Sequence, residues 1–225
     1  ALERQQGFPV TPAKWVPPLS RLAANIMDLT ADFIVEDEAN QRSFQMQESA
    51  ILLWAWATAG RASDEAFRID SQCMIQQADQ HLDDGSDPRD FLKQQHWSNS
   101  VWAFATARVY DGHEELLVYL ASLLHRYPWF VDSFSGQEVA TTGWGVATLL
   151  SNKRLDMGEV VSECEQTAAL SVLRHLLLLV VQRQAENFNP QNLSNTLWAM
   201  ATLGFGLSSS QEHSGSMCLI LESDR

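Results

Sequence analysis

The sequence predicts an all-α protein built from repeated pairs of helices. Glycine and proline are sparse, at 11 and 7 of 225 residues, whereas alanine, leucine, glutamine and glutamate are plentiful, and this balance favours helix over strand. A pattern of tryptophan, small residue, any residue, alanine and threonine occurs four times. Its copies lie 48, 42 and 54 residues apart, and repeats of roughly 20–50 residues are typical of stacked helical units.

The four copies are WAWAT, WAFAT, WGVAT and WAMAT, which begin at Trp54, Trp102, Trp144 and Trp198. We interpret the pattern as a packing device, because small residues let neighbouring helices approach while each indole fills the gap between them. The four tryptophans are therefore predicted to form the structural core of the repeat. A glutamine stands seven residues before each of them, at Gln47, Gln95, Gln137 and Gln191. A hydrogen bond in the first turn or to a neighbouring helix is one explanation for this column.

The elements follow from the copies and the segments between them. Residues 1–16 are expected to be extended, and a leading helix is expected over about 19–39 to pair with the first copy. Partner helices are predicted after Ser63, from an Asp111 cap, and after Leu155, where the segment is long enough for two helices. The repeat domain is thus predicted over 17–206. A C-terminal tail follows it at 207–225.

Two of the repeat helices carry clear start signals. Ser135 is predicted to cap the third copy, with Glu138 three residues later completing a capping box. Asn189 is predicted to cap the fourth copy, with Pro190 in the first helical position. Within the third copy, Gly143 and Gly145 would each cost about 1 kcal/mol relative to alanine. They mark either a close helix contact, which we favour, or a surface where the backbone of a partner approaches.

The charge of the chain argues against polyanionic partners. The formal net charge is −13, and acidic residues are in excess in every quarter of the sequence. A surface that binds phosphates needs clustered lysine and arginine, so neither RNA, DNA nor an anionic membrane is the natural partner on charge alone. The longest apolar run, at 176–181, is too short to span a bilayer. We therefore expect a soluble or peripheral protein.

No motif in the sequence indicates catalysis. Cys73, Cys164 and Cys218 are odd in number and far apart, so we expect free thiols and neither disulfides nor a zinc site. His113 lacks the second histidine of a helical zinc motif. The acidic segment 83–90 lacks the spacing of a calcium loop and is better explained as a loop with a helix cap. We expect no enzymatic activity, no metal and no cofactor.

The stretch PQNLSNTLWAMATLG, with its echoes QHWSNSVWAFATAR, QESAILLWAWATAG and QEVATTGWGVATLL, resembles the octotricopeptide repeat of algal organelle proteins. The resemblance covers most of residues 19–206. It implies a right-handed alpha solenoid of about four helical-hairpin repeats, with no enzymatic activity in the repeats. It also implies import into an organelle, for which we expect the plastid (chloroplast) before the mitochondrion, and usually RNA binding.

Repeats that read RNA use a few side chains on the inner surface of each hairpin. Carried over by resemblance, that role falls to the polar positions just before each tryptophan. In the first copy these positions hold Ile51 and Leu52, which cannot hydrogen-bond to a base. With Gly143 included, the candidate partner-binding residues are Asn99, Ser100, Thr141, Thr142, Gly143, Asn195 and Thr196.

Two functions stay open at this point. The acidity favours a non-enzymatic scaffold that binds another protein, as an accessory or assembly subunit of an organellar complex. The resemblance favours an RNA-binding protein that acts in organelle RNA maturation, stability or translation. We prefer the protein-binding scaffold, because the chain offers no basic groove.

Overall fold

The computed structural model describes residues 17–37, 43–61, 63–158, 161–183 and 186–204. Throughout these residues the regular structure is helical, and none of them lies in a strand. The prediction of an all-α protein is therefore confirmed. The predicted extended segment 1–16 and the predicted tail 207–225 fall outside the described residues.

Eight long helices and two single turns make up the described part of the chain. The leading helix begins two residues before its predicted start, and the long segment after Leu155 contains one partner helix. The elements are α1 (Pro17–Glu36), α2 (Met46–Ala59), α3 (Asp64–Asp83), α4 (Pro88–Phe91), α5 (Gln94–Ala107), α6 (His113–Arg126), α7 (Pro128–Asp132), α8 (Gly136–Met157), α9 (Glu163–Gln182) and α10 (Pro190–Thr202).

The long helices pack in two rows. Helices α2, α5, α8 and α10 contain the repeated pattern and lie side by side in that order; we call them the tryptophan row. Helices α1, α3, α6 and α9 also lie side by side in order and form the partner row. Contacts of α2 with α3, α5 with α6 and α8 with α9 join the two rows.

The helix-start signals read from the sequence are mostly confirmed. Ser135 and Glu138 form the capping box of α8, with the Glu138 carboxylate accepting from Ser135 N at 2.7 Å. The Asn189 side chain accepts from the backbone of α10 at 2.8 Å. Asp87 caps α4 within the acidic loop by accepting from Arg89 N at 3.0 Å.

The predicted cap at Asp111 is wrong. Gly112 takes the N-cap position of α6 with a φ of 83°, a left-handed conformation that favours glycine. A Cβ atom on Gly112 would also lie 3.0 Å from Arg68 Cα. The Asp111 carboxylate instead pairs with the Arg68 guanidinium at 3.3 Å, so this aspartate ties α6 to α3.

The core between the rows is built on the column two residues after each repeated tryptophan. Trp56, Phe104 and Val146 occupy this column and are almost fully buried. Phe67 of α3 contacts two of them, with ring centroids 6.1 Å from Trp56 and 5.1 Å from Phe104. The Trp56 indole N–H also donates to Met27 O of α1 at 3.3 Å, which links the first helices of the two rows.

The prediction that all four repeated tryptophans fill the core is wrong. Trp54 and Trp198 are 46% and 45% exposed, while Trp102 and Trp144 are half-buried at the edge of the core. The reason is the helical turn of about 100° per residue, which places the buried column about 200° away from the tryptophans. The tryptophans therefore face away from the partner row.

The two glycines beside Trp144 differ in their surroundings. A Cβ atom on Gly145 would lie 2.8 Å from Val101 Cγ1 and 3.2 Å from Val101 O, so α5 and α8 approach closely there and the favoured explanation is confirmed. A Cβ atom on Gly143 would meet Leu173 and Ala199 only at 3.7 and 3.8 Å. Close packing thus explains Gly145 and leaves Gly143 unexplained.

Helix α9 is long and apolar enough to cross a membrane, the one such helix in the part of the chain that the structure describes. Its 20 residues extend beyond the short apolar run noted in the sequence. Core helices of soluble proteins meet the same criterion, and α9 packs against α6 and α8 through residues that include the buried Glu165.

Candidate partner-binding face

Among the described residues, no three histidine, cysteine, aspartate or glutamate side chains are placed to hold a metal ion. Of the described cysteines, Cys73 is buried, Cys164 is exposed and neither forms a disulfide, and Cys218 lies outside the described residues.

One buried charged cluster joins three helices. The Glu165 carboxylate lies 2.5 Å from His113 Nε2 and accepts from Lys153 Nζ at 2.8 Å. Burial by itself would raise the pKa of Glu165, but the hydrogen bonds and charges of His113 and Lys153 outweigh it and lower that pKa. His113 Nδ1 also lies 2.6 Å from Tyr110 O. The His113 ring thus lies between a buried carboxylate and a backbone carbonyl.

This cluster is structural. The side chains of His113, Glu165 and Lys153 are 1%, 0% and 13% exposed, so a ligand has no access to them. They connect α6 and α9 of the partner row to α8 of the tryptophan row. Sequence reasoning missed the cluster because residues 113, 153 and 165 are far apart and show no shared motif.

The candidate residues immediately before the tryptophans divide into two groups. Ser100, Thr142, Gly143 and Thr196 are buried between neighbouring helices, which corrects the expectation that they contact a partner. The Ser100 hydroxyl donates to His96 O at 2.9 Å and that of Thr196 to Asn192 O at 2.8 Å. The reason is again the helical rotation of about 100° per residue, because a position two residues before the tryptophan lies about 160° away from it around the helix axis.

The remaining candidates stand three residues before their tryptophans. Asn99, Thr141 and Asn195 are half-buried, on the same side of α5, α8 and α10 as the indoles. The equivalent position of α2 is Ile51, which is 51% exposed. The structure therefore brings three of the seven candidates into one line across the tryptophan row.

The outer side of the tryptophan row is a continuous surface that we call the tryptophan face. Four positions recur on each of its helices: a glutamine, the variable position, the tryptophan and a threonine. All four glutamines are exposed. The face consists of Gln47, Ile51, Trp54, Thr58, Gln95, Asn99, Trp102, Thr106, Gln137, Thr141, Trp144, Gln191, Asn195, Trp198 and Thr202. The equivalent threonine of α8, Thr148, is buried.

The polar groups of this face are largely unpaired. Within the described residues, neither the four indole N–H groups nor the four glutamine amides have a hydrogen-bond partner. The rings of Trp54 and Trp102 stack, with centroids 6.2 Å apart and planes inclined at 29°. The Thr58 hydroxyl donates back to Trp54 O at 2.8 Å. The face thus presents aromatic surface together with free donors and acceptors.

The tryptophan face itself is uncharged. Helices α5 and α10 contain no aspartate, glutamate, lysine or arginine, and α2 contains only Glu48. Helix α8 contains Glu138, Lys153, Arg154 and Asp156, none of which belongs to the face. The segment 83–93, which leads from α3 into α5, carries Asp83, Asp84, Asp87 and Asp90 against Arg89 and Lys93. The face is thus neutral and aromatic, and we call the net acidic segment 83–93 at the start of α5 its acidic border.

Two open grooves lie elsewhere. One of about 480 Å³ runs between α3 and α6 and is lined by Gln72, Val118 and Tyr119 among others. The second, of about 420 Å³, lies between α1 and the turn from α2 to α3 beside Asp28 and Arg61. Neither shares the repeated side chains of the tryptophan face.

Fold and face together define an all-helical protein of two packed rows with a repeated aromatic surface. Comparison with known protein families, with curated proteins and with solved structures finds no match for this chain.

Proposed function

We propose that the protein is a non-enzymatic helical-repeat scaffold that binds another protein, as an accessory or assembly subunit of an organellar complex. The tryptophan face carries this proposal. Half-exposed tryptophans combine a large apolar area with an N–H donor, and such side chains are enriched at protein interfaces. Side chains of this kind on four adjacent helices form a surface suited to a protein partner.

The finer architecture is part of the proposal. The chain would form a right-handed alpha solenoid of about four octotricopeptide-like hairpins. The order of helices within each row supports this, because each tryptophan helix contacts the next one along the chain, as expected for stacked repeats. We place the protein in the plastid, soluble or peripheral to a membrane.

RNA binding of the octotricopeptide type is the second candidate. It is favoured by the exposed indoles, since bases stack well on aromatic side chains. The charges argue against it, because RNA affinity comes largely from lysine and arginine contacts to phosphates. The tryptophan face has no basic residue, and the chain as a whole has 15 lysines and arginines against 28 aspartates and glutamates.

Co-purification of partners with the native protein from ribonuclease-treated plastid extract distinguishes protein binding from RNA binding. We expect a protein partner that stays bound in stoichiometric amount after the RNA is destroyed. In parallel, organellar transcripts are titrated at about 50 and about 200 mM salt, a range over which a true RNA complex weakens steeply. Submicromolar RNA binding with that salt dependence, together with loss of every protein partner on ribonuclease treatment, would establish RNA as the ligand instead.

A further inference from the structure

The residues of the tryptophan face are repeated although they lie on the side of the row that faces away from the partner row, outside the centre of the core. The exposed glutamines, the half-exposed tryptophans and the threonines are identical in all four copies. The buried column, by contrast, changes from copy to copy: Trp56, Phe104, Val146 and Met200. A surface that repeats the same groups along a row matches a ligand that repeats the same groups along its length. The kind of ligand that suits the tryptophan face is therefore a linear polymer.

The groups on the face match those of a polypeptide backbone. A glutamine amide both donates and accepts, as a peptide group does, and an indole N–H donates to a carbonyl oxygen. An extended peptide has unpaired N–H and C=O groups at regular intervals. The variable position, held by Ile51, Asn99, Thr141 and Asn195, is then placed to contact the side chains of the ligand.

The size of the face sets the length of the segment. Packed helices lie about 8–10 Å apart, so the four helices of the row span about 25–30 Å between the outer axes. An extended chain advances about 3.3 Å per residue. A segment of about eight or nine residues therefore crosses the whole row.

Charge determines the side chains of the ligand. A polyanion finds no counter-charge on the face, which excludes RNA as its best occupant. Each glutamine is the second residue of its helix. Gln95 therefore follows closely on the segment 83–93, in which four aspartates outnumber Arg89 and Lys93. Lysine and arginine stems can lie on the indoles, which attract cations, while their charged ends reach this acidic border.

We propose that the tryptophan face binds an extended polypeptide segment that carries lysine or arginine. The proposal rests on the protein-binding function above and names the surface and the chemistry of its partner. The glutamine amides and indole N–H groups contact the backbone of the segment. The basic side chains lie across the indoles toward the acidic border.

The test uses the intact chain and a phage-displayed random peptide library of about 12 residues, enough to cross the row. Selected peptides are synthesised with a fluorophore, and their affinity is measured by anisotropy. The face variant combines Gln47→Ala, Gln95→Ala, Gln137→Ala and Gln191→Ala. Its matched control changes four exposed glutamines of the partner row: Gln76→Ala, Gln80→Ala, Gln166→Ala and Gln182→Ala.

We expect the selected peptides to be rich in lysine or arginine. The face variant should bind them at least about tenfold more weakly, since several hydrogen bonds are lost, and the control should bind as wild type does. Both variants should melt close to the wild-type temperature, because all eight glutamines are exposed. Replacing the basic residues of a selected peptide by glutamate should abolish binding.

The failures can be told apart. Peptides that bind the face variant as tightly as wild type, or that carry no excess of basic residues, overturn this inference and leave the protein-binding function in place. Failure to select any peptide, combined with oligouridine binding that the face variant loses, overturns both. That last result would identify the tryptophan face as an RNA surface.

Discussion

At the scale of the residue, one helix can hold two neighbouring tryptophans with opposite roles. In α2 the indole of Trp56 is buried in the core and bonded to α1, whereas Trp54, two residues earlier, is nearly half exposed. The repeated residue is the exposed one. The repeated position therefore lies at the surface or at the edge of the core, and not at its centre.

Alanine substitution at a core and at a face tryptophan should separate these roles. Trp56→Ala removes a fully buried side chain and is expected to lower the free energy of unfolding by about 3–5 kcal/mol. Trp198→Ala should cost clearly less, about 1–2 kcal/mol, because its ring is 45% exposed. Urea unfolding followed by far-ultraviolet circular dichroism measures both. Equal losses would show that the fourth tryptophan packs as firmly as the core.

The sequence predicted that the repeated residues share one side of each helix, but it did not predict whether that side faces the core or the solvent. The columns of glutamine, tryptophan and threonine fall on one arc of the helix, and that was visible from their spacing. The spacing did not show which side of the helix faces the core, because indole is large and apolar and its exposure depends on the neighbouring helices. The signal that could have decided it was the column of Trp56, Phe104 and Val146, apolar in every copy. The capping signals of α8 and α10 were predictable because they are local.

At the scale of the element, the contact between α5 and α8 is set by one missing side chain. Gly145 lets the two helices meet at Val101, whereas Gly143, two residues earlier, lies in ordinary contact distance of its neighbours. Both glycines weaken the helix intrinsically. Only one of them is required by the packing.

This difference predicts opposite effects of the same substitution. Gly145→Ala should destabilise the protein by about 1–3 kcal/mol, because the branched side chain of Val101 is stiff and cannot yield easily. Gly143→Ala should be neutral or stabilise by up to about 1 kcal/mol through its helix propensity. The two midpoints of urea unfolding, compared with wild type, decide the matter. If Gly143→Ala is the more damaging change, the packing described for α8 is incorrect.

At the scale of the whole molecule, two buried acids give stability opposite dependences on pH. Glu165 joins the rows, and its pKa is lowered, so its contribution is present above its ordinary pKa and is lost as pH falls through the lowered value. Asp70 is buried on α3 beside Ser49. Burial raises its pKa from 3.8 to about 7, which the Ser49 hydroxyl only partly offsets.

The raised pKa of Asp70 predicts a loss of stability toward neutral pH. The folded protein holds the Asp70 proton more tightly than the unfolded chain does, so this contribution is complete below pH 3.8 and disappears as pH rises to about 7. Asp70→Asn imitates the protonated acid at every pH. At about pH 8 the free energy of unfolding of this variant should therefore exceed that of wild type by about 2–4 kcal/mol, since each pKa unit is worth about 1.4 kcal/mol. The gain should shrink at about pH 5, where much of wild-type Asp70 keeps its proton. Urea titrations at the two pH values measure the difference, and a gain that is the same at both would show that Asp70 does not titrate in this range.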